Sequence, residues 1–245
     1  MDDRTWYSGT PEPDRFRDND AGHALLVELD APGAQPRVQK LPVAAFAWHH
    51  WPATLGVPIE LDALLAQTEP DPEIQDLLRQ SEGLNLALDY LPGSIGFDPL
   101  IDKALSGKAR LASSVVWFDA LVTNVDRTPR NTNLLVWHGN LWLIDHGASL
   151  YFHHSWDAET LQRSRAPFAA IKDHVLLPWA SEIESVDAEL AAKITPESLD
   201  AILELIPEAW LVDVPRDGYR EWFLRRLESP REFAQEAARA RSLRV

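Results

Sequence analysis

The sequence predicts an α+β fold, with a β-rich segment over residues 1–67 followed by a mainly helical part over residues 68–245. Two observations lead to this prediction. In the first segment, short apolar runs separated by the turn APGAQP are typical of β-strands. In the second part helix-start signals recur, with TPES at 195–198 and SPRE at 229–232.

The composition indicates a globular chain without thiol chemistry. Of the 245 residues, 45% are hydrophobic and 25% are charged, so the chain can bury a substantial core. Because there is no cysteine, neither a disulfide nor a thiolate metal site can form, and a metal would be held by oxygen or imidazole. The net charge of −15, from 38 acidic and 23 basic residues, argues against a nucleic-acid-binding surface.

The location of the protein is predicted from what the sequence lacks. No apolar run approaches the roughly 18 residues that are needed to span a bilayer. The start, MDDRTWYSG, has neither the basic nor the apolar segment of a secretory signal. We therefore expect a cytoplasmic protein without a membrane partner.

In the first segment, the apolar runs 23–29 (HALLVEL) and 38–46 predict a short β-meander. A helix is predicted to follow within TEPDPEIQDLL, where Asp71 is a candidate N-cap and Pro72 occupies the first helical position. We place the domain boundary just before this helix, near Thr68.

The middle of the chain combines strands with one long helix. GLNLALDYLPGSIGFDP predicts a strand that ends in a Gly/Pro loop. Residues 108–122 predict a helix, because Leu111, Val115 and Phe118 recur at helical spacing. Beyond it, NLLVW and NLWLID flank a turn at 138–140 that tolerates positive φ, which predicts a β-hairpin.

Three polar side chains around this hairpin could support phosphoryl transfer. That reaction needs a carboxylate near the acceptor hydroxyl and oxygen ligands that fix magnesium on the phosphates. Asp126 and Asn131 stand five residues apart, so one loop can present both groups to one point. Asp145, which follows the second strand and precedes Gly147, can meet them from the hairpin.

The segment FDALVTNVDRTPRNTNLLVWHGNLWLIDHGASLYFHH resembles the catalytic core of the HipA-like kinases, a bacterial branch of the protein-kinase-like superfamily. The resemblance extends from about Thr68 to the C-terminus and includes TEPDPEIQDLL, GLNLALDYLPG and FDP. It implies a protein-kinase-like fold with a helical C-lobe, preceded by an atypical or truncated β-rich N-terminal part. It also implies an ATP-dependent phosphotransferase that uses ATP and Mg²⁺ and acts on Ser or Thr hydroxyls of a protein substrate.

The resemblance assigns a role to each residue of the motif. Asp126 is implied to be the catalytic base, and Asn131 and Asp145 are implied to be the magnesium ligands. Arg127 and Arg130 are implied to stabilise either the loop or the transferring phosphate. Lipid kinases share the Asp-Arg-His-x-x-Asn form of this loop, so the motif by itself leaves both protein and lipid acceptors open.

The nucleotide contacts of the N-terminal part are less complete. Asp89, Tyr90 and Leu91 fall where kinases hinge their lobes and touch adenine, and an ordinary strand end is the alternative. Lys40, in the alternating segment RVQKLPV, is the candidate for the phosphate-gripping strand lysine, and a solvent-facing edge lysine is the alternative. The glycines before residue 71 stand singly, so no Gly-rich phosphate loop is recognised.

Residues 1–67 are similar to a different kind of protein. WYSGTPEPDRF, DAGHALLVELD and PRVQKLPV resemble the segment that follows the catalytic core in calcineurin-like metallophosphoesterases of the DNA-repair exonuclease type. None of the metal-binding motifs of those enzymes is present in the sequence. This resemblance therefore implies no activity.

Two other classes of function compete with an active kinase. A catalytically inactive kinase-like domain would act as a binding module. A metallohydrolase would need ligands from the histidines His138, His146, His153 and His154. As neighbours on a strand, His153 and His154 would face opposite sides, so we do not expect them to share one ion.

Overall fold

The computed structural model describes five strands by their backbones within residues 1–88, and then residues 91, 93–100, 105, 107–208, 211 and 214–244. The chain divides into two compact units, Met1–Gly93 and Ser94–Val245. Among the described residues, none of the helices is both long and apolar enough to cross a membrane.

The N-terminal unit contains a five-stranded sheet. Its strands are β1 (Thr5–Trp6), β2 (His23–Glu28), β3 (Arg37–Pro42), β4 (Thr54–Ile59) and β5 (Gly83–Leu88). The order is β1-β3-β2-β4-β5, and β2 runs antiparallel to β3 but parallel to β4. The two predicted strands are confirmed as an antiparallel pair, β2 and β3. The sheet as a whole is not a meander, because β1 pairs with β3 and β4 pairs with β2.

The pairing of β5, the last strand of this sheet, shows where the boundary between the two units lies. β5 pairs with β4 along its whole length, from Gly83 opposite Ile59 to Leu88 opposite Thr54. Backbone pairing of this kind ties residues 83–88 to the N-terminal unit. The structural division therefore falls after Gly93 and not near Thr68. The helix expected from Asp71 lies outside the described residues.

The C-terminal unit is an α+β arrangement of a small antiparallel sheet and six α-helices among its described residues. Its strands are β6 (Ile95–Gly96), β7 (Leu134–Trp137) and β8 (Asn140–Leu143), in that order. Its helices are α1 (Ala109–Leu121), α2 (Thr160–Arg163), α3 (Ile183–Lys193), α4 (Pro196–Glu204), α5 (Arg216–Leu227) and α6 (Glu232–Ser242). Short 3₁₀ segments lie at Tyr151–Ser155, Ala169–Asp173 and Leu177–Trp179.

The predicted hairpin is confirmed as β7 and β8. Trp137 pairs with Asn140, so the turn consists of two residues, His138 and Gly139, with φ of 48° and 74°. Two successive residues of positive φ are the mark of a type I′ turn, whose twist matches that of the strands. At the open end of the hairpin, Leu134 pairs with Leu143.

The predicted helix at 108–122 is confirmed as α1, which forms the centre of the unit. Every residue from Val115 to Leu121 is buried. Trp117 packs edge-on against Phe233 of α6, and its Nε1 donates to Asp187 of α3 at 2.7 Å. Because the C-terminal two turns of α1 are buried on all sides, they form a fixed support for the loop that follows.

The helix-start signals in the C-terminal part also act as expected. Thr195 and Ser198 form a reciprocal capping box at the start of α4, with Pro196 in the first turn. The SPRE signal leads into α6, which begins at Glu232. Arg231, just before α6, is bound to the carboxylate of Asp187 at 2.7 Å.

The C-terminal end of α1 is capped by the side chain of Arg226 in α5. Its Nε donates to the Leu121 carbonyl oxygen at 2.8 Å, and Nη2 donates to that of Ala120 at 2.7 Å. Its Nη1 donates to the carbonyl oxygens of Ser164 and Ala166. Burial lowers the pKa of Arg226 to about 9, so the guanidinium is still charged at neutral pH. A cation at this position also complements the helix dipole.

We expect Arg226→Met to destabilise the fold by about 3 kcal/mol or more, because several buried carbonyl oxygens lose their donors. Urea unfolding at pH 7 measures this change. The matched control is Arg225→Met, since Arg225 is the neighbouring residue but is partly exposed and pairs with Glu221 on the surface. Equal midpoints for the two variants would contradict the capping role.

Candidate active site

The loop after α1 is held by the side chain of Asn124. Its Nδ2 donates to Asp119 Oδ1 at 3.1 Å, and its Oδ1 accepts the backbone N–H of Asp126 at 3.1 Å. The backbone N–H of Asn124 also donates to the carbonyl oxygen of Asp119 at 2.9 Å. Asn124 thereby links the position of Asp126 to the buried end of α1.

The structure brings Asp126 and Asn131 together. Asp126 Oδ2 accepts hydrogen bonds from Asn131 Nδ2 at 2.8 Å and from Asn133 Nδ2 at 3.0 Å. The backbone N–H of Thr128 closes the loop, because it donates to the carbonyl oxygens of Asp126 and Asn131. With its amide nitrogen directed at Asp126, Asn131 has Oδ1 as the atom that can bind a cation.

Asp145 is presented at the end of β8 in an unusual backbone conformation. Its φ is 49°, in the left-handed region that side chains other than glycine seldom adopt. Its Oδ1 accepts the backbone N–H of Gly147 at 3.2 Å. A Cβ at residue 147 would lie 3.3 Å from that oxygen, so glycine permits the close approach.

The loops of Asp126 and Asp145 meet at the open end of the hairpin. Asn133, whose side chain binds Asp126, accepts the backbone N–H of Ile144 at its carbonyl oxygen, at 3.1 Å. Ile144 immediately precedes Asp145. A short series of hydrogen bonds therefore joins the two aspartates, and both belong to the same end of the sheet.

Arg127 is a buried support for this arrangement and cannot contact a phosphate. It is 1% exposed, and its Nε binds Asp119 Oδ2 at 2.6 Å. Its Nη1 donates to the carbonyl oxygens of Asn133 and Ile144. Of the two roles predicted for Arg127, the geometry fits stabilisation of the loop. Arg130, in contrast, is exposed on the loop.

Asp119 is the carboxylate on which these contacts converge. It is completely buried and also binds His174 Nε2 at 2.8 Å. Burial acts to raise the pKa of Asp119, but the hydrogen bond from His174 and the charge of Arg127 outweigh it, and the pKa falls to about 2. His174 Nδ1 accepts the backbone N–H of Leu176, so the hydrogen is on Nε2 and points at Asp119.

His146, beside Asp145, faces the interior. Burial and the charge of Arg127 lower the pKa of His146 to about 4, so the ring is neutral at pH 7. Its ring packs edge-on against Phe118 at 6.1 Å between centroids. His146 therefore fills space between α1 and the segment after β8.

Sequence reasoning missed four residues of the site: Asp119, Asn124, Asn133 and His174. Asp119 carries one signal that could have found it, since it is a lone carboxylate in the apolar run VVWFDALV. His174 carries none, because it reaches Asp119 across 55 residues of sequence.

The predicted nucleotide contacts of the N-terminal part lie mostly outside the described side chains. Lys40 is on β3, in register with Leu25 of β2. Asp89 and Tyr90 lie outside the described residues, and Leu91 is buried. Their roles remain predictions.

Two oxygen donors that suit a cation, Asn131 Oδ1 and the Asp145 carboxylate, are on exposed residues of the two loops. Over the described part of the chain, no group of three or more His, Asp or Glu side chains is placed to hold a metal. Magnesium commonly takes only one or two carboxylates from a protein and completes its shell with water and phosphate oxygens. The residues present fit that ion when a nucleotide shares it.

No family model matches this chain, and neither a curated protein nor a solved structure matches it. The resemblance to HipA-like kinases therefore stays a prediction from the sequence. The function has to be argued from the geometry of Asp126, Asn131 and Asp145.

We expect Asp119→Asn to destabilise the protein by about 3 kcal/mol or more at pH 7, because it leaves the buried Arg127 without its counter-charge. The folded pKa of Asp119, about 2, lies below its ordinary value of 3.8. Its contribution is thus complete above pH 3.8 and is lost as the pH falls towards 2, by about 2 kcal/mol. Urea unfolding as a function of pH measures both effects.

The control for this experiment is Asp157→Asn. Asp157 also pairs with an arginine, Arg163, but both side chains are about half exposed. Exposed pairs contribute little to stability. A loss in Asp119→Asn no larger than in this control would show that the buried pair does not support the loop.

Proposed function

We propose that this protein is an ATP- and magnesium-dependent phosphotransferase of the HipA-like kinase type that acts on a Ser or Thr hydroxyl of a protein. The observation that carries the proposal is the hydrogen bond of 2.8 Å between Asp126 and Asn131. It forms at the same end of the hairpin as Asp145. Phosphoryl transfer requires this combination of a base and cation-binding oxygens around one point.

Asp126 would act as the base for the acceptor hydroxyl. Its Oδ2 is held by two amide donors, from Asn131 and Asn133, so the orientation of the carboxylate is fixed. The other oxygen, Oδ1, would then accept the proton of the hydroxyl. A fixed carboxylate lowers the entropy cost of reaching the reactive geometry. Such positioning accounts for a large part of catalysis in phosphoryl transfer.

Asn131 and Asp145 would hold the magnesium ion of the nucleotide. When bound, the ion neutralises charge on the phosphate oxygens. The chain itself contributes the placement of the two ligands: Asn131 is turned by its hydrogen bond to Asp126, and Asp145 is fixed by Gly147. Arg130 is exposed on the same loop and is the arginine that could reach a phosphate.

The second candidate is a kinase-like domain that has lost catalysis and acts as a binding module. The observation that favours it is the absence of a Gly-rich loop in the sequence before residue 71. Such a module would keep the buried Asp119–Arg127 pair, which fixes the arrangement of the loop, but would bind nucleotide weakly or not at all. Nucleotide binding therefore separates the two candidates.

We expect the native chain to bind ATP in the presence of Mg²⁺ with a micromolar to low-millimolar dissociation constant, and Asp145→Asn to abolish this binding, because Asp145 holds the metal. Calorimetric titration measures it, and removal of Mg²⁺ with EDTA should have the same effect. Asp217→Asn, the same change at an exposed residue of α5, is the control and should bind normally. Absence of binding by a folded native chain would sink the active-kinase proposal.

We expect Asp126→Asn to keep its affinity for MgATP while the rate of phosphoryl transfer falls by about 10²- to 10⁴-fold, which is typical for the loss of a general base. Autophosphorylation or slow hydrolysis with γ-labelled ATP measures the rate without knowledge of the natural acceptor. If Asp126→Asn transferred phosphate as fast as Asp217→Asn, Asp126 would not be the general base.

A further inference from the structure

Two neighbouring histidines converge in the segment after the candidate site. Tyr151–Ser155 is a 3₁₀ helix and not the strand assumed from the sequence, so the expectation that His153 and His154 face opposite sides is wrong. Their Nε2 atoms lie 2.9 Å apart, a hydrogen-bond distance at which one ring donates and the other accepts. The ring planes are inclined at 84° with centroids 4.0 Å apart, so the two nitrogens meet at an angle and not end to end.

The hydroxyl of Tyr219 in α5 can set the tautomer of His153. It lies 3.4 Å from His153 Nδ1. When Nδ1 carries the hydrogen and donates it to the Tyr219 oxygen, Nε2 has its lone pair directed towards His154. Metal-binding histidines commonly use their second nitrogen in this way, which fixes both tautomer and ring orientation.

The segment that carries the histidines is anchored on either side. Phe152 stacks on Trp222 of α5, with centroids 4.4 Å apart and planes inclined at 29°. Trp156 packs near Tyr219 at 6.2 Å. Because these rings hold the 3₁₀ turn against α5, the backbone that carries the two imidazoles is preorganised, which lowers the conformational entropy lost on binding an ion.

We propose that His153 and His154 form a binding site for one divalent transition-metal ion. With metal–nitrogen distances of about 2.0–2.1 Å, a nitrogen separation of 2.9 Å corresponds to an angle of about 90° at the metal. That angle belongs to square-planar or octahedral coordination, which suits Cu²⁺ and Ni²⁺. A tetrahedral Zn²⁺ site would need nitrogens about 3.3 Å apart. The hydrogen shared by the two Nε2 atoms would move to the other ring nitrogen of its histidine, and water would complete the shell.

This site is chemically separate from the candidate magnesium ligands. Imidazole nitrogens select borderline metals, whereas the oxygens of Asn131 and Asp145 suit magnesium. The transition-metal site therefore does not depend on the proposed phosphotransferase activity, and either proposal can fail without the other.

Calorimetric titration with Ni²⁺ tests the site. The parent protein for this test carries His49→Gln and His50→Gln, so that the other pair of adjacent histidines binds no metal. Each further variant is made in this parent. We expect the parent to bind one Ni²⁺ equivalent that His154→Gln loses or binds at least about tenfold more weakly. The matched control is His138→Gln, which removes an exposed histidine at the hairpin turn and should bind as the parent does.

Two further measurements distinguish a specific metal site from adventitious metal binding. Tyr219→Phe should weaken Ni²⁺ binding by about tenfold, because it removes the partner of the second ring nitrogen. Electron paramagnetic resonance of the Cu²⁺-loaded parent should show coupling to two nitrogens, and His153→Gln should reduce it to one. Equal Ni²⁺ affinity in the parent and in His154→Gln would overturn the proposal, as would the absence of nitrogen coupling.

Discussion

The geometry of the candidate site depends on one buried ion pair, between Asp119 of α1 and Arg127 of the following loop. A single carboxylate receives donors from three residues: Arg127 and Asn124 of that loop, and His174, which lies 55 residues further along the chain. Arg127 extends the network to the carbonyl oxygens at the open end of the hairpin. Such a pair is costly to desolvate, so it specifies one arrangement of the loop more than it adds net stability.

This network separates the groups that give rigidity from the groups that can react. Asp119 and Arg127 are inside, while Asn131 and Asp145 are exposed. The backbone around the site is also unusual, since four residues of positive φ lie in its loops: Thr123, Asn133, Asp145 and Leu150. Conformations of this kind cost free energy and persist only where surrounding contacts over-determine them. The buried network supplies contacts of that kind.

The sequence predicted those parts of the structure that depend on local patterns. The hairpin follows from Gly139, α1 from its helical apolar spacing, and the cap of α4 from Thr195 and Ser198. Proximity of Asp126 and Asn131 also follows, because five residues span a short loop. The position of β2 inside its sheet did not follow, since apolar runs do not encode strand order.

What the sequence could not supply are contacts between distant residues. The bond from His174 to Asp119 has no local signature, and the burial of Arg127 becomes evident only once its carboxylate partner is known. The convergence of His153 and His154 was missed for another reason. An apolar and aromatic stretch such as LYFHH suggests an extended chain, but the ring of Phe152 stacks on α5 and the backbone turns instead.

The cap that Arg226 places on α1 has a consequence for how the molecule is made. The carbonyl oxygens of Ala120 and Leu121 accept hydrogen bonds from a side chain that is more than 100 residues further along the chain. As synthesis proceeds from the N-terminus, α1 and the loop after it leave the ribosome long before their cap exists. The C-terminal end of α1, from which the loop of Asp126 and Asn131 begins, can therefore be capped in this way only after α5 has emerged.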